Sequence, residues 1–154
     1  MKVLRRSFLN RCGQAGALAL AAAAGLLKPV LALAAEWNKA AFETTNLAEA
    51  FKLSAAAGAI DSKDLILKVQ EHAENGAVVQ VEVSSKIPGT TSIAVFVEKN
   101  PRPLVADMSF QNGAEPYIFL VTKMAESSRI RAVARAGGKA YFTAKEVHVT
   151  TSGC

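Results

Sequence analysis

The hydrophobic period of the chain changes partway along, and the change divides it. Over residues 37–57 apolar side chains recur three and four positions apart, at Phe42, Leu47, Ala50, Phe51 and Leu53, the stripe of an amphipathic helix. Thr45 or Asn46 is placed to cap its N-terminus and Gly58 to stop it, with a break expected near Thr44. From Asp64 the period becomes two: Leu65, Leu67 and Val69; then Val79, Val81 and Val83 with Gln80 and Glu82 between them; then Ile93, Val95 and Val97. Such alternation predicts one buried and one wet face, the pattern of an antiparallel sheet.

Glycine and proline punctuate the same region. Asn75-Gly76 lies between two predicted strands in a loop slightly longer than a minimal hairpin. Gly137-Gly138 separates residues 130–136 from 140–143 at the two-residue spacing of a primed turn. Ile87-Pro88-Gly89 and Asn100-Pro101-Arg102-Pro103 interrupt pairing, because proline has no donor N–H. With residues 104–110, 117–124 and 145–150 this gives seven or eight short strands in about 90 residues, the spacing of an immunoglobulin-like sandwich. The Cys-Trp-Cys arrangement of true immunoglobulin domains is missing, and Trp37 precedes the strands. The fold class read from the pattern is all-β: an antiparallel sandwich over residues 61–150, a helical lead-in over 35–60, and a mobile C-terminal arm over 151–154.

The first 34 residues belong to neither pattern. Arg5 and Arg6 stand just before Phe8-Leu9, a mildly apolar stretch follows over residues 13–27, and Ala32-Leu33-Ala34 offers the small residues a signal peptidase reads. These are the parts of a twin-arginine export signal, too short in its apolar run for the roughly 20 residues that span a bilayer. Cleavage after Ala34 and a periplasmic location are expected, with no membrane attachment afterwards. Five of the 18 basic side chains (Lys2, Arg5, Arg6, Arg11 and Lys28) fall in this leader, which has no Asp or Glu. The remainder holds 13 basic against 13 acidic side chains, so the net charge of +5 belongs to the leader. A neutral body lacks the broad basic surface that nucleic-acid binding needs.

Cleavage would also remove Cys12, leaving Cys154 as a lone thiol without an internal disulfide partner in a compartment where disulfides are usual. No nucleophile elbow, zinc-protease helix motif, phosphate loop or dinucleotide fingerprint occurs, so no self-sufficient active site is legible. His72 reads as a loop residue without metal-ligand spacing to His148. Cu(I) favours Cys, Met and His, and Cys154, His148, Met108 and Met124 could form such a site, although both methionines fall on apolar strands where packing is their commoner role. A copper-binding sandwich and an inert structural adaptor are therefore the two alternatives to a thiol-based function. The tail itself, Thr151, Ser152 and Gly153 leading to Cys154, has no apolar group with which to dock, and it reads as a slender tether.

Several stretches in order carry a resemblance that covers essentially the whole region after the leader. They are Ser62-Lys63-Asp64-Leu65, the run from Ala73-Glu74-Asn75-Gly76 to Val81-Glu82-Val83, and the run from Ser92-Ile93-Ala94-Val95 through Glu98-Lys99-Asn100-Pro101 to Ala106. Glu115-Pro116-Tyr117 and Lys123-Met124-Ala125 complete the set. Together with the leader and Cys154 they resemble the SoxY family, sulfur-carrier subunits of the periplasmic Sox thiosulfate-oxidation system. The resemblance implies a non-enzymatic protein that pairs with SoxZ as a heterodimer and needs no metal or cofactor beyond covalently held sulfur. It implies that Cys154 is loaded with thiosulfate by the SoxAX cytochrome. SoxB then hydrolyses sulfate away, and the SoxCD sulfane dehydrogenase can act on what remains. The family's arm is Gly-Gly-Cys-Gly-Gly, whereas here one glycine precedes Cys154 and none follows. A terminal α-carboxylate beside the sulfur would raise the thiol pKa and slow its attack; a truncated sequence, a variant subunit and a tolerated difference all stay open.

Overall fold

The computed structural model describes residues 37–151, and the described elements lie in a unit that begins at Asn38. The helical period is realised as two short helices, α1 (Lys39–Glu43) and α2 (Leu47–Leu53), broken at Thr44 as its sequence suggests. Asn46 caps α2, its side chain accepting from Glu49 N at 3.1 Å, which satisfies one of the orphan donors of the first turn. Asn38 caps α1 and its Nδ2 donates to the Leu53 carbonyl at 2.8 Å, tying the two helix ends together. The helix stops at Leu53, well before Gly58: Ala55 takes a left-handed φ of 49°, and Ala56 N turns back to the Phe51 carbonyl at 2.7 Å. No glycine marks that stop, so the pattern placed it too late.

Nine strands follow: β1 (Ile60–Asp61), β2 (Leu65–Val69), β3 (His72–Asn75), β4 (Val79–Ser85), β5 (Thr90–Val97), β6 (Leu104–Ser109), β7 (Tyr117–Thr122), β8 (Ser128–Ala136) and β9 (Lys139–Thr151). One sheet has the order β1-β9-β8-β5-β6, with β3 also on β9; the other is β2-β4-β7. Leu65, Leu67, Val79, Val81, Val83 and Ile118 from the smaller sheet meet Ile93, Val95, Val97, Ile130, Ala132, Ala134 and Val147 from the larger in one buried cluster. These are the residues whose period-two spacing predicts an inner face, and the architecture is the immunoglobulin-like sandwich. Gly137 and Gly138 have φ of 56° and 74°, the left-handed pair that a primed two-residue turn requires, and Ala136 faces Lys139 across it.

Three expectations are corrected. β5 has no wet face: Ser92 through Val97 are all buried, because the helices cover the outer side of the large sheet. Ala41, Ala50 and Ala56 pack there on Ala94, Phe96, Leu104 and Val133, and Phe51 meets Phe96 edge-on with centroids 4.8 Å apart. The two strands expected over 140–143 and 145–150 are one strand of 13 residues, β9, paired with β8 from Lys139 to Val147 and with β3 from His148 onward. Asn75-Gly76 is not part of a hairpin, since β3 pairs with β9 while β4 pairs with β2 and β7.

Candidate functional site

The segment that carries the sequence-predicted chemistry follows β9 in sequence, and the described residues at the end of that strand form a collar around it. Beneath it lies the core, since Val147 and Ser128 are fully buried. On one side β3 runs parallel to β9 with His72 opposite His148, Ala73 opposite Val149 and Asn75 opposite Thr151. His148 N donates to the Glu71 carbonyl and Gly76 N to the Thr151 carbonyl, both at 2.8 Å. On the other side Ser127 Oγ accepts from Val149 N at 2.9 Å.

The loops that supply these groups are braced in turn. Asn75 Oδ1 accepts from Ala77 N at 2.8 Å, the short-range turn bond that asparagine makes readily. Met124 N donates to the Gly76 carbonyl at 2.7 Å, and Lys99 N donates to Ser128 Oγ at 3.0 Å. Asn100 bridges two loops, giving its Nδ2 to the Lys123 carbonyl at 2.7 Å and taking Ala125 N on its Oδ1 at 3.1 Å. The residues quoted for the family resemblance at Ala73-Glu74-Asn75-Gly76, Lys99-Asn100 and Lys123-Met124-Ala125 therefore converge on one structural task, fixing the foot of the tail.

Thr151, read from sequence as part of the arm, is the last residue of β9 and is paired to Asn75. Ser152, Gly153 and Cys154 lie outside the described residues, as do Arg5, Arg6 and the rest of the leader. The soft-metal constellation is not assembled among the described residues. Met124 is fully buried in the core, and Met108 is exposed on β6, at the opposite edge of the large sheet from β9. No three His, Cys, Asp or Glu side chains among the described residues could hold a metal ion together. His72 is not a loop residue: it stands on β3 beside His148, their rings stacked with centroids 5.4 Å apart. A pairing across a separation this long in sequence leaves no local signal, and the short His-Ala-Glu-Asn segment has none of the β-branched residues that mark a strand. The collar left no local signal either, because, apart from the Asn75–Ala77 turn bond, its bonds join segments distant along the chain.

Fold and site together define an immunoglobulin-like sandwich whose last strand is clamped through Thr151, three residues before Cys154 in sequence. The model of the family described as sulfur oxidation protein SoxY matches residues 51–154, and the chain belongs to that family. Among solved structures it is similar to the sulfur carrier protein SoxY from Chlorobium limicola f thiosulfatophilum, at 36% identity and a TM-score of 0.62, over 68% of this chain and 96% of that one. No curated protein matches the chain. The match takes in the sandwich and the residues through Cys154, and it begins inside α2, so most of the helical cover stands upstream of it.

Proposed function

We propose that this protein is a sulfur carrier of a Sox thiosulfate-oxidation system, with Cys154 as the attachment point and the sandwich as the body its partner enzymes grip. Family membership is the observation that carries the reading, and the collar supports it. A thiol three residues past a firmly held Thr151 is tethered to a defined point of the body. The loading step is an oxidation: the Cys154 thiol and thiosulfate join through a new S–S bond, releasing one proton and two electrons, which a SoxAX-type cytochrome accepts. Hydrolysis of the terminal S–S bond by a SoxB-type enzyme then uses one water, releases sulfate and two protons, and leaves a persulfide anion on the chain. A SoxCD-type dehydrogenase can oxidise that sulfane sulfur further. Thiolate sulfur suits the role because it is strongly nucleophilic and forms reversible sulfur–sulfur bonds.

In this reading the carrier performs no catalysis, uses no other cofactor, and works as a heterodimer with a SoxZ-type subunit in the periplasm after twin-arginine export and removal of residues 1–34. Intact-mass spectrometry of protein recovered from cells fed thiosulfate tests it. Sulfur or thiosulfate adducts mapping to the Cys154 peptide, and absent from Cys154→Ser, are expected. A recovered chain whose Cys154 peptide never carries added sulfur, while thiosulfate oxidation proceeds, would overturn the assignment.

A further inference from the structure

We propose that His72 and His148 form a two-imidazole binding site for a late first-row divalent cation, with Cu2+ the tightest ligand. The inference stands on described residues alone and does not rest on the carrier reading. The two histidines are direct partners in the parallel β3–β9 pairing, and adjacent strands lie about 4.8 Å apart, so the rings leave neighbouring points of one surface. The rings are stacked, 5.4 Å between centroids and 23° from parallel, and both side chains are exposed, so each imidazole has room to turn and present a nitrogen to a shared ion. Among the described residues no hydrogen bond engages either ring.

The backbone beneath is fixed: His148 N is bonded to the Glu71 carbonyl at 2.8 Å, β9 is paired with β8 as far as Val147, and Val149 N is bonded to Ser127 Oγ at 2.9 Å. A chelate at this point would therefore require little ordering of the main chain. The rings border a solvent-open hollow of about 280 Å³ lined by Glu71, His72, Lys145, Glu146 and His148. Its two carboxylates favour a cation, while Lys145 and Arg129, whose Nε lies 3.9 Å from Glu146 Oε2, offset part of their field. The donor set selects the metal: imidazole nitrogen suits copper, nickel and zinc, whereas magnesium and calcium require oxygen cages. Because no third protein ligand converges there, water fills the remaining positions, an arrangement that the tetragonal N,O preference of Cu2+ accommodates. Affinity along the divalent series peaks at copper.

The test uses the untagged full chain carrying Cys12→Ser and Cys154→Ser, so that no thiol contributes. Cu2+ is titrated by calorimetry, and the bound ion is read by electron paramagnetic resonance. One equivalent should bind with nitrogen couplings from two imidazoles. His72→Gln or His148→Gln should each weaken binding by about 100-fold, the gain that tethering two donors typically gives, and leave a single coupled nitrogen. Both side chains are exposed, and unchanged circular dichroism would confirm that the variants fold. Single variants that bind Cu2+ as tightly as the parent, or a parent spectrum with fewer than two imidazole nitrogens, would overturn the site.

Discussion

At the scale of single residues, two arginines on β8 do most to join the layers. Arg131 donates its Nε to Glu98 Oε1 at 2.9 Å, and its guanidinium lies 5.2 Å from the Phe51 centroid and 4.7 Å from that of Phe142, linking α2 to β9. Arg135 donates to Ser92 Oγ, to the Ser54 carbonyl and to Asp107, so one side chain touches β5, β6 and the end of α2. Asp107 is only 13% exposed, and removing its partner strands a largely desolvated charge. Arg135→Met should therefore destabilise the protein by about 2 kcal/mol, read as a lower urea midpoint with unchanged slope. A surface pair contrasts with this. The Glu82 carboxylate, hydrogen-bonded to Lys68 Nζ at 2.6 Å, holds that ammonium above the ordinary lysine value of 10.5. A raised folded value means that the contribution is complete at neutral pH and is lost as pH climbs past the lysine range. Lys68 is exposed and Glu82 half-buried, so Lys68→Gln should change the melting temperature little at pH 7 and flatten only its decline above about pH 10.

At the scale of elements, β7 offers a direct check on register. Ile118 faces inward and is 2% exposed, while Tyr117, Phe119 and Val121 alternate outward at 45%, 55% and 52%. Ile118→Ala should cost about 3 kcal/mol, and Phe119→Ser should stay within about 0.5 kcal/mol. Equal effects in thermal unfolding would mean that the strand is slipped by one position, since a single-residue shift exchanges the faces. The same alternation made the inner face legible from sequence at Leu65, Val81, Ile93 and their neighbours. The Asn46 cap, the break at Thr44 and the turn at Gly137-Gly138 were legible for similarly local reasons. What escaped was non-local. The uninterrupted apolar run of Ile93-Ala94-Val95-Phe96-Val97 marks a strand buried on both faces, yet only the packing of α1 and α2 supplies the second cover. β3 exists because β9 provides a parallel neighbour, and nothing in residues 72–75 announces it. Cys154 itself was conspicuous in sequence as the one cysteine after residue 34, but the collar that holds the strand before it was not.

At the scale of the whole molecule, the large sheet and three loops act together to hold β9 to its last residue. Ser127 is the simplest point at which to loosen that hold. Ser127→Ala leaves Val149 N without its acceptor, a loss of about 1 kcal/mol. Hydrogen exchange should report it as faster exchange at Val149, with the amides of β5 and the middle of β8 unchanged. Acceleration spread evenly over the sandwich would mean instead that the collar and core open as one unit.

Because the strand is pinned through Thr151, the leash that remains before Cys154 is three residues, a span of at most about 11 Å. On the carrier reading proposed above, a reaction centre that serves this thiol would have to come almost to the edge of the body, where two enzymes of ordinary bulk cannot stand at once. Partner enzymes would then take turns, each departing before the next arrives, so dissociation of one enzyme would set the pace of the next step.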